Sequence, residues 1–154
     1  MSENIIVKDS GKKGKGVFAL KDFKKDEVII HITGKVVETD NPSSFSKEIQ
    51  NHWFPFDKKG KFHKYVLPES PWMYLNHSCN PNAGIKNNRD IVAMRDIKKG
   101  EEIVFDYAMN NIDNWTMECK CGSKNCRKII STFDKLDKET RKKYFPYVID
   151  WLKK

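Results

Sequence analysis

Short apolar runs separated by turn residues fill the first hundred positions of the chain. The β-branched or apolar runs are residues 5–7, 17–20, 28–30, 36–37 and 103–105. Glycines and charged residues lie between these runs, which is the pattern of short strands in a mainly β protein. Further along, residues 83–86 and 91–94 flank a polar stretch that contains two asparagines. Two apolar runs around such a turn predict a β-hairpin.

Two segments of the chain repeat each other. Residues 19–27 read Ala-Leu-Lys-Asp-Phe-Lys-Lys-Asp-Glu, and residues 93–101 read Ala-Met-Arg-Asp-Ile-Lys-Lys-Gly-Glu. Each segment precedes an apolar run, so each predicts a strand, a turn with one buried apolar residue, and a second strand. Two copies are too few for a solenoid, and we interpret the repeat as one turn solution that is used twice.

The middle and the end of the chain depart from this pattern. Residues 41–72 are irregular and rich in aromatic side chains, with a loop predicted from residue 41 and a turn at 57–60. Residues 134–154 repeat apolar positions near a period of 3.6, which predicts helix. Asp137 is the expected N-cap. Pro146 should end or kink this helix, or open a second one at its first position.

Composition narrows the class of protein. The chain has 154 residues, with 29 Lys and Arg against 21 Asp and Glu, so its formal charge is +8. This length suits one domain, and no apolar run approaches about 18 residues, so we expect no membrane span. Residues 1–4 lack a basic and apolar leader. An intracellular protein of the cytoplasm or nucleus is expected, with an exported effector as the alternative.

Four cysteines form the clearest candidate for a metal site. They are Cys79, Cys119, Cys121 and Cys126. A reducing compartment disfavours disulfides, and three clustered thiols with a fourth upstream suit zinc held by four thiolates. Such a closed site leaves no position for water, so the predicted zinc is structural. Four unrelated thiols are the alternative, which the polar character of residues 119–126 disfavours.

Three further segments carry candidate chemistry. His77 lies two residues before Cys79, so a nucleophile and its base are an alternative to the zinc site. Residues 11–16 have the glycine spacing of a phosphate-binding loop but lack the Lys-Ser/Thr that follows it, so the motif by itself predicts a turn. Tyr107 follows a predicted strand at 103–105, where a tyrosine either lines a cleft or packs in the core.

The order of these motifs carries a resemblance. The chain reads G-K-G-V-F-A, N-H-S-C-N-P-N, G-E-E-I-V-F-D-Y and C-K-C-G-S-K-N-C-R in succession between Lys12 and Arg127. This succession resembles the SET-domain protein lysine methyltransferases with a post-SET zinc motif. The resemblance implies small curved β-sheets in which the N-H-S-C-N-P and F-D-Y segments cross in a pseudoknot-like arrangement. It divides the chain into a SET domain (1–115, insert 41–72), a post-SET zinc segment (116–130) and a C-terminal helical tail (131–154) packed on the same domain.

The same resemblance implies an activity and its site. S-adenosylmethionine would donate a methyl group to the side-chain amine of a protein lysine. Tyr107 matches the catalytic tyrosine of the family. Phe105 occupies the position that governs the product state, where phenylalanine predicts di- or trimethylation. The residues expected to contact the donor, several of them through backbone, are Lys15, Gly16, Val17, Asn76, His77 and Tyr107.

One feature departs from the family pattern. Many members have a tyrosine before the glycine that follows the third strand, and this chain has Thr33 there. A second channel tyrosine must therefore come from elsewhere, with Tyr65 as the candidate, or be absent.

The expected partner is a protein that bears the target lysine, a histone or another basic protein among the candidates. The charge of +8 repels a basic tail at long range. Either the groove is locally acidic, or the substrate is not strongly basic, or basic patches bind nucleic acid nearby. Two other functions remain open, a non-catalytic SET-like protein-binding module and a small zinc-dependent nucleic-acid-binding protein. Carboxylates that could make the groove acidic are Glu38, Asp40, Glu48 and Asp113.

Overall fold

The computed structural model describes residues 4–11 and 14–153. Lys12 and Lys13 of the glycine-rich loop lie outside these ranges, as do residues 1–3 and 154. Within the described ranges the fold is mainly β, as predicted, with two α-helices, Lys47–His52 (α1) and Lys138–Tyr144 (α2). The strands β1 to β12 are Ile5–Asp9, Lys15–Ala19, Val28–His31, Val36–Thr39, Phe54–Lys59, Phe62–Val66, Asn76–His77, Ala83–Lys86, Asp90–Ala93, Glu102–Phe105, Met117–Glu118 and Ile129–Ile130.

The strands form small sheets around one apolar core. Their orders are β1-β2-β10-β7, β3-β9-β8 and β4-β6-β5, with β11 and β12 as a separate pair. The predicted hairpin is confirmed as β8 and β9, which pair from Ala83 with Ala93 to Lys86 with Asp90. Its turn is made by the two asparagines, whose φ angles of 53° and 62° belong to the left-handed region that this residue tolerates.

The parallel pairing of β7 with β10 brings two distant motifs together. Asn76 pairs with Val104, and His77 pairs with Phe105. The chain after β7 stays beside β10, because the amide of Ser78 donates to the Phe105 carbonyl at 3.1 Å. The N-H-S-C-N-P and F-D-Y segments therefore lie side by side, which is the contact that the predicted crossing requires.

The two repeated segments pair with each other. Phe23 and Ile97 form an antiparallel bridge, and each donates its amide to the carbonyl of the other at 2.8 Å. Both side chains are almost fully buried, as the repeat predicted. The amide of Lys25 donates to the Asp96 carboxylate across the bridge, and the second segment makes the reciprocal bond. The repeat thus builds a local two-fold arrangement.

The insert is more regular than its sequence indicates. Ser46 caps α1 by accepting the amide of Ile49 at 3.2 Å, and β6 pairs antiparallel with both β4 and β5. The turn predicted at 57–60 is wrong in position, because β5 continues to Lys59 and the turn falls at Gly60 and Lys61. A 3-10 turn, Pro42–Ser44, lies within the predicted loop.

The tail packs on the hairpin sheet. Asp137 caps α2, as predicted, by accepting the amide of Thr140 at 2.9 Å. The helix ends at Tyr144, and Pro146 lies at the start of a 3-10 turn, Phe145–Tyr147. Tyr147 packs against Gly84 of β8 so closely that a Cβ on the glycine would lie 2.5 Å from it. Among the described residues, no helix has the length and apolar character needed to cross a membrane.

Candidate active site and metal centre

A cleft of about 600 Å³ opens between the insert and residues 113–117. Phe105 and Tyr107, at the end of β10 and just after it, form part of its lining. Aromatic and aliphatic side chains make up much of the wall, among them Trp53, Phe54, Trp72, Leu75 and Trp115. A cleft with apolar rings beside a tyrosine suits the insertion of a long side chain.

Both the side-chain hydroxyl and the backbone amide of Tyr107 donate hydrogen bonds. Its hydroxyl donates to the Leu75 carbonyl at 2.6 Å, and its amide donates to Nδ1 of His77 at 3.0 Å. Burial, together with the nearby charge of Glu102, raises the pKa of the Tyr107 hydroxyl above its ordinary value. The hydroxyl therefore stays protonated at neutral pH. Its ring lies 5.0 Å from that of Phe105, between centroids.

His77 joins the tyrosine to the cysteine cluster. Because Nδ1 accepts the Tyr107 amide, a neutral His77 carries its proton on Nε2, which lies 3.3 Å from Sγ of Cys79. This contact matches the outer hydrogen bonds that orient metal-binding groups. The histidine side chain thus contacts Tyr107 and Cys79, and its Nδ1 also lies 3.6 Å from the Asp106 carboxylate. Burial raises the pKa of the Cys79 thiol, which disfavours its use as a nucleophile.

The expected donor residues Lys15, Gly16 and Asn76 lie on β2 and β7, the strands on either side of β10. Asn76 donates its amide Nδ2 to the Lys15 carbonyl at 2.9 Å and to the Glu102 carboxylate at 2.8 Å. A Cβ on Gly16 would collide with that same carboxylate, so a larger residue here would displace the Glu102 side chain. The Lys15 ammonium lies 5.4 Å from the centroid of the Tyr74 ring.

Charges of both signs therefore lie near Asn76, and the cationic one also lies near an aromatic ring. The ammonium of Lys15, the carboxylate of Glu102 and the amide of Asn76 match the zwitterionic amino-acid part of S-adenosylmethionine in chemistry. An aromatic ring suits its adenine. The side chain of Val17 is fully buried in the core, so any contact it makes with a donor is through backbone. Glu102 was not among the predicted donor residues, although it lies within the G-E-E-I-V-F-D-Y motif.

The four cysteines meet as predicted. All four Sγ atoms lie within 4.8 Å of one another, with 3.8 Å from Cys79 to Cys119 and 3.6 Å from Cys119 to Cys126. Zn–S bonds of about 2.3 Å in a tetrahedron require S–S separations of about 3.8 Å, so this set fits zinc. All four thiols are free. Burial alone would raise the pKa of Cys121, but hydrogen bonds from Ser123 and from backbone amides lower it to about 6.

A buried ion pair lies beneath the cysteine cluster. Arg127 donates from both terminal nitrogens to the Asp106 carboxylate, at 2.7 Å and 2.9 Å. The carboxylate is fully buried and also accepts the Tyr144 hydroxyl from α2 and the amide of Ala108 at 3.0 Å each. Burial lowers the pKa of Arg127, but its bonds to Asp106 raise it above the ordinary value. The sequence analysis assigned no role to either partner, since no local pattern relates them.

The candidate for a second channel tyrosine has a different position. Tyr65 is fully buried, stacks on Trp53 at 3.6 Å between centroids, and donates its hydroxyl to Asp113 at 2.6 Å. It does not line the cleft, which leaves Tyr107 as the tyrosine of the lining. Of the four carboxylates considered for an acidic groove, only Asp113 borders the cleft, and it is already bonded to Tyr65 and His63.

A sequence profile of the SET domain matches residues 14–108 of this chain, well over half its length. The chain belongs to the SET-domain family. The H3 lysine-36 specific histone-lysine N-methyltransferase of Debaryomyces hansenii is 31% identical over 137 residues, which cover 81% of this chain and 19% of that protein. Histone-lysine N-methyltransferase mes-4 of Caenorhabditis elegans is 32% identical over 149 residues, which cover 82% of this chain and 16% of that protein. The chain thus spans less than a fifth of the length of either relative.

A solved structure supports the SET fold. The methyltransferase domain of human histone-lysine N-methyltransferase SETMAR matches with a TM-score of 0.61 and 20% sequence identity. The match covers 83% of this chain and 58% of that one. At this identity the likeness carries the architecture, and the chemistry must be argued from the side chains.

Proposed function

We propose that this SET domain transfers a methyl group from S-adenosylmethionine to the side-chain amine of a protein lysine. One observation carries the proposal. Tyr107 lines the apolar cleft, while its amide is bonded to His77 in the segment expected to hold the donor. The tyrosine therefore lies where a side chain in the cleft and a bound donor would meet. Relatives named as histone-lysine N-methyltransferases make histones the first substrates to test.

The donor would be held by backbone and amide groups of β2 and β7, the strands on either side of β10. The donor would be contacted through backbone groups by Lys15, Gly16, Val17 and His77. Asn76, whose side chain is bonded to the Lys15 carbonyl, would lie beside it. When bound, S-adenosylmethionine supplies an electrophilic methyl group. Gly16 keeps the backbone close to Glu102 and Asn76, so this part of the site depends on the absence of a side chain there.

The substrate amine must be neutral to act as a nucleophile, although free lysine has a pKa of about 10.4. The apolar wall of the cleft disfavours the ammonium form and lowers this pKa. The Tyr107 hydroxyl stays protonated and bonded to the Leu75 carbonyl, so it orients the reacting groups and does not act as a base. Alignment of the amine with the donor in the cleft then provides most of the rate.

Phe105 would decide how many methyl groups are added. Its side chain is buried in the lining, 5.0 Å from the Tyr107 ring and 6.1 Å from the Phe54 ring. It has no hydroxyl that could bond a water molecule and crowd the amine. We therefore propose that the enzyme adds two or three methyl groups.

The metal centre would be structural zinc. Four thiolates leave no open position, so the ion would join Cys79 of the SET domain (1–115) to the post-SET segment (116–130), and the tail (131–154) would pack on the same domain. Free thiols fit a reducing compartment, so cytoplasm or nucleus is the proposed location.

The test combines transfer and binding measurements. The protein is incubated with labelled S-adenosylmethionine and purified histones, and labelled lysines are mapped by mass spectrometry. Tyr107→Phe should lower turnover by roughly a hundredfold, within the range of one positioned catalytic group, while calorimetry gives donor affinity close to that of the wild type. Tyr147→Phe is the matched control, because that hydroxyl bonds Asp26 away from the cleft.

Two outcomes would overturn the proposal. Near-wild-type turnover of Tyr107→Phe would remove the tyrosine from the chemistry. Donor binding without transfer to histones or to any protein of a cell extract would favour a non-catalytic binding module.

A further inference from the structure

A second depression, of about 460 Å³, lies on the surface of the C-terminal tail. It shares no lining residue with the cleft. Three of its six lining residues are cationic and none is acidic. The lining consists of Phe133, Lys138, Arg141, Lys142, Phe145 and Pro146.

The cationic residues lie on one face of α2. Lys138, Arg141 and Lys142 are spaced i, i+3 and i+4, and Phe145 follows at i+7, so all four project from the same side of the helix. Both lysines are exposed, and the Phe145 side chain is 48% exposed. The nearby Asp137 carboxylate is committed to Thr140 as the N-cap. We call these four residues the α2 basic face.

The guanidinium of Arg141 has one unpaired hydrogen-bond donor among the described residues. Its Nε is buried and has no hydrogen-bond partner within the described part of the chain. A buried donor without a partner is costly, because it has lost its bond to water. Arg141 also lines the depression, and guanidinium groups bind phosphate oxygens in a fork geometry, so its terminal nitrogens suit an anion there.

We propose that the α2 basic face binds the phosphodiester backbone of a nucleic acid. Lys138, Arg141 and Lys142 would contact phosphates, and the exposed ring of Phe145 would stack against a base. Cations next to an exposed aromatic ring are the combination that binds single strands with little sequence preference. The charge of +8 favours the same class of partner.

The experiment measures fluorescence anisotropy of a labelled DNA strand of about 20 nucleotides, and of its duplex, between about 50 and 200 mM salt. Lys138→Ala/Lys142→Ala should weaken binding about tenfold and lower the slope of log affinity against log salt by about 1.4, since each single-strand phosphate contact contributes about 0.7. Phe145→Ala should weaken binding of the single strand fivefold or more.

The matched control is Lys25→Ala/Lys99→Ala, which removes the same charge from two exposed lysines outside the tail. It should change affinity less than twofold. An equal loss in both double variants would overturn the proposal, because binding would then follow net charge alone. It would also be overturned by an absence of binding at low salt, or by tighter binding of a phosphopeptide than of DNA.

Discussion

Arg127→Met tests how the metal segment is attached to the catalytic strand. The substitution keeps an apolar stem of similar length but removes the guanidinium, so the fully buried Asp106 carboxylate loses both of its bonds to Arg127. Asp106 directly precedes Tyr107, and Arg127 directly follows the last cysteine. The effect of the change should therefore reach both the tyrosine and the metal centre.

The size of the effect follows from burial. Removal of one partner of a buried ion pair costs about 3–5 kcal/mol of unfolding free energy. The Arg127 side chain is 25% exposed, and the carboxylate keeps its bonds from Tyr144 and Ala108. We therefore expect the lower end, about 3 kcal/mol. That is a large part of the total stability of a small domain, roughly 5–15 kcal/mol.

Urea unfolding of the metal-loaded protein measures this loss. Arg95→Met is the matched control, because Arg95 pairs with Glu101 at 3.1 Å on the surface, with side chains 55% and 33% exposed. An exposed pair of this kind contributes about 1 kcal/mol or less. The double variant Asp106→Asn/Arg127→Met should lose less stability than the sum of the two single variants, because each single variant leaves one charge without its partner and the double variant leaves none. Equal small losses for Arg127→Met and Arg95→Met would refute the reasoning.

Three more predictions concern the cleft, the donor side and the metal. Phe105→Tyr should shift products from di- and trimethyl-lysine to monomethyl-lysine in mass spectra at long times, and wild-type enzyme that stops at one methyl would contradict the assignment. Gly16→Ala should weaken donor binding about tenfold by calorimetry, because the new Cβ displaces the Glu102 carboxylate from Asn76; unchanged affinity would place the donor elsewhere. Removal of the metal by a chelator should abolish transfer before the far-ultraviolet circular dichroism of the β-sheets changes, and turnover that survives complete removal would separate the metal from the cleft.

Local features of the chain were predictable from the sequence. The hairpin of β8 and β9 follows from two apolar runs around asparagines, and the cap at Asp137 follows from the residue that can accept a helix amide. These features depend on neighbours within a few positions. The helix α1 was missed because its six residues are too few for a 3.6-residue period to emerge.

The motifs predicted which residues belong to the site, and the tertiary structure determined which of them contact one another. The four thiols could be grouped by number and spacing, but the contact of Cys79 with His77, and of His77 with Tyr107, depends on the parallel pairing of β7 with β10. Likewise, nothing near Asp106 along the chain indicates its pairing with Arg127, 21 residues away. Burial makes the loss of one partner of such a pair costly, and burial is a property of the folded chain, because segments far apart in sequence must first come together and exclude water.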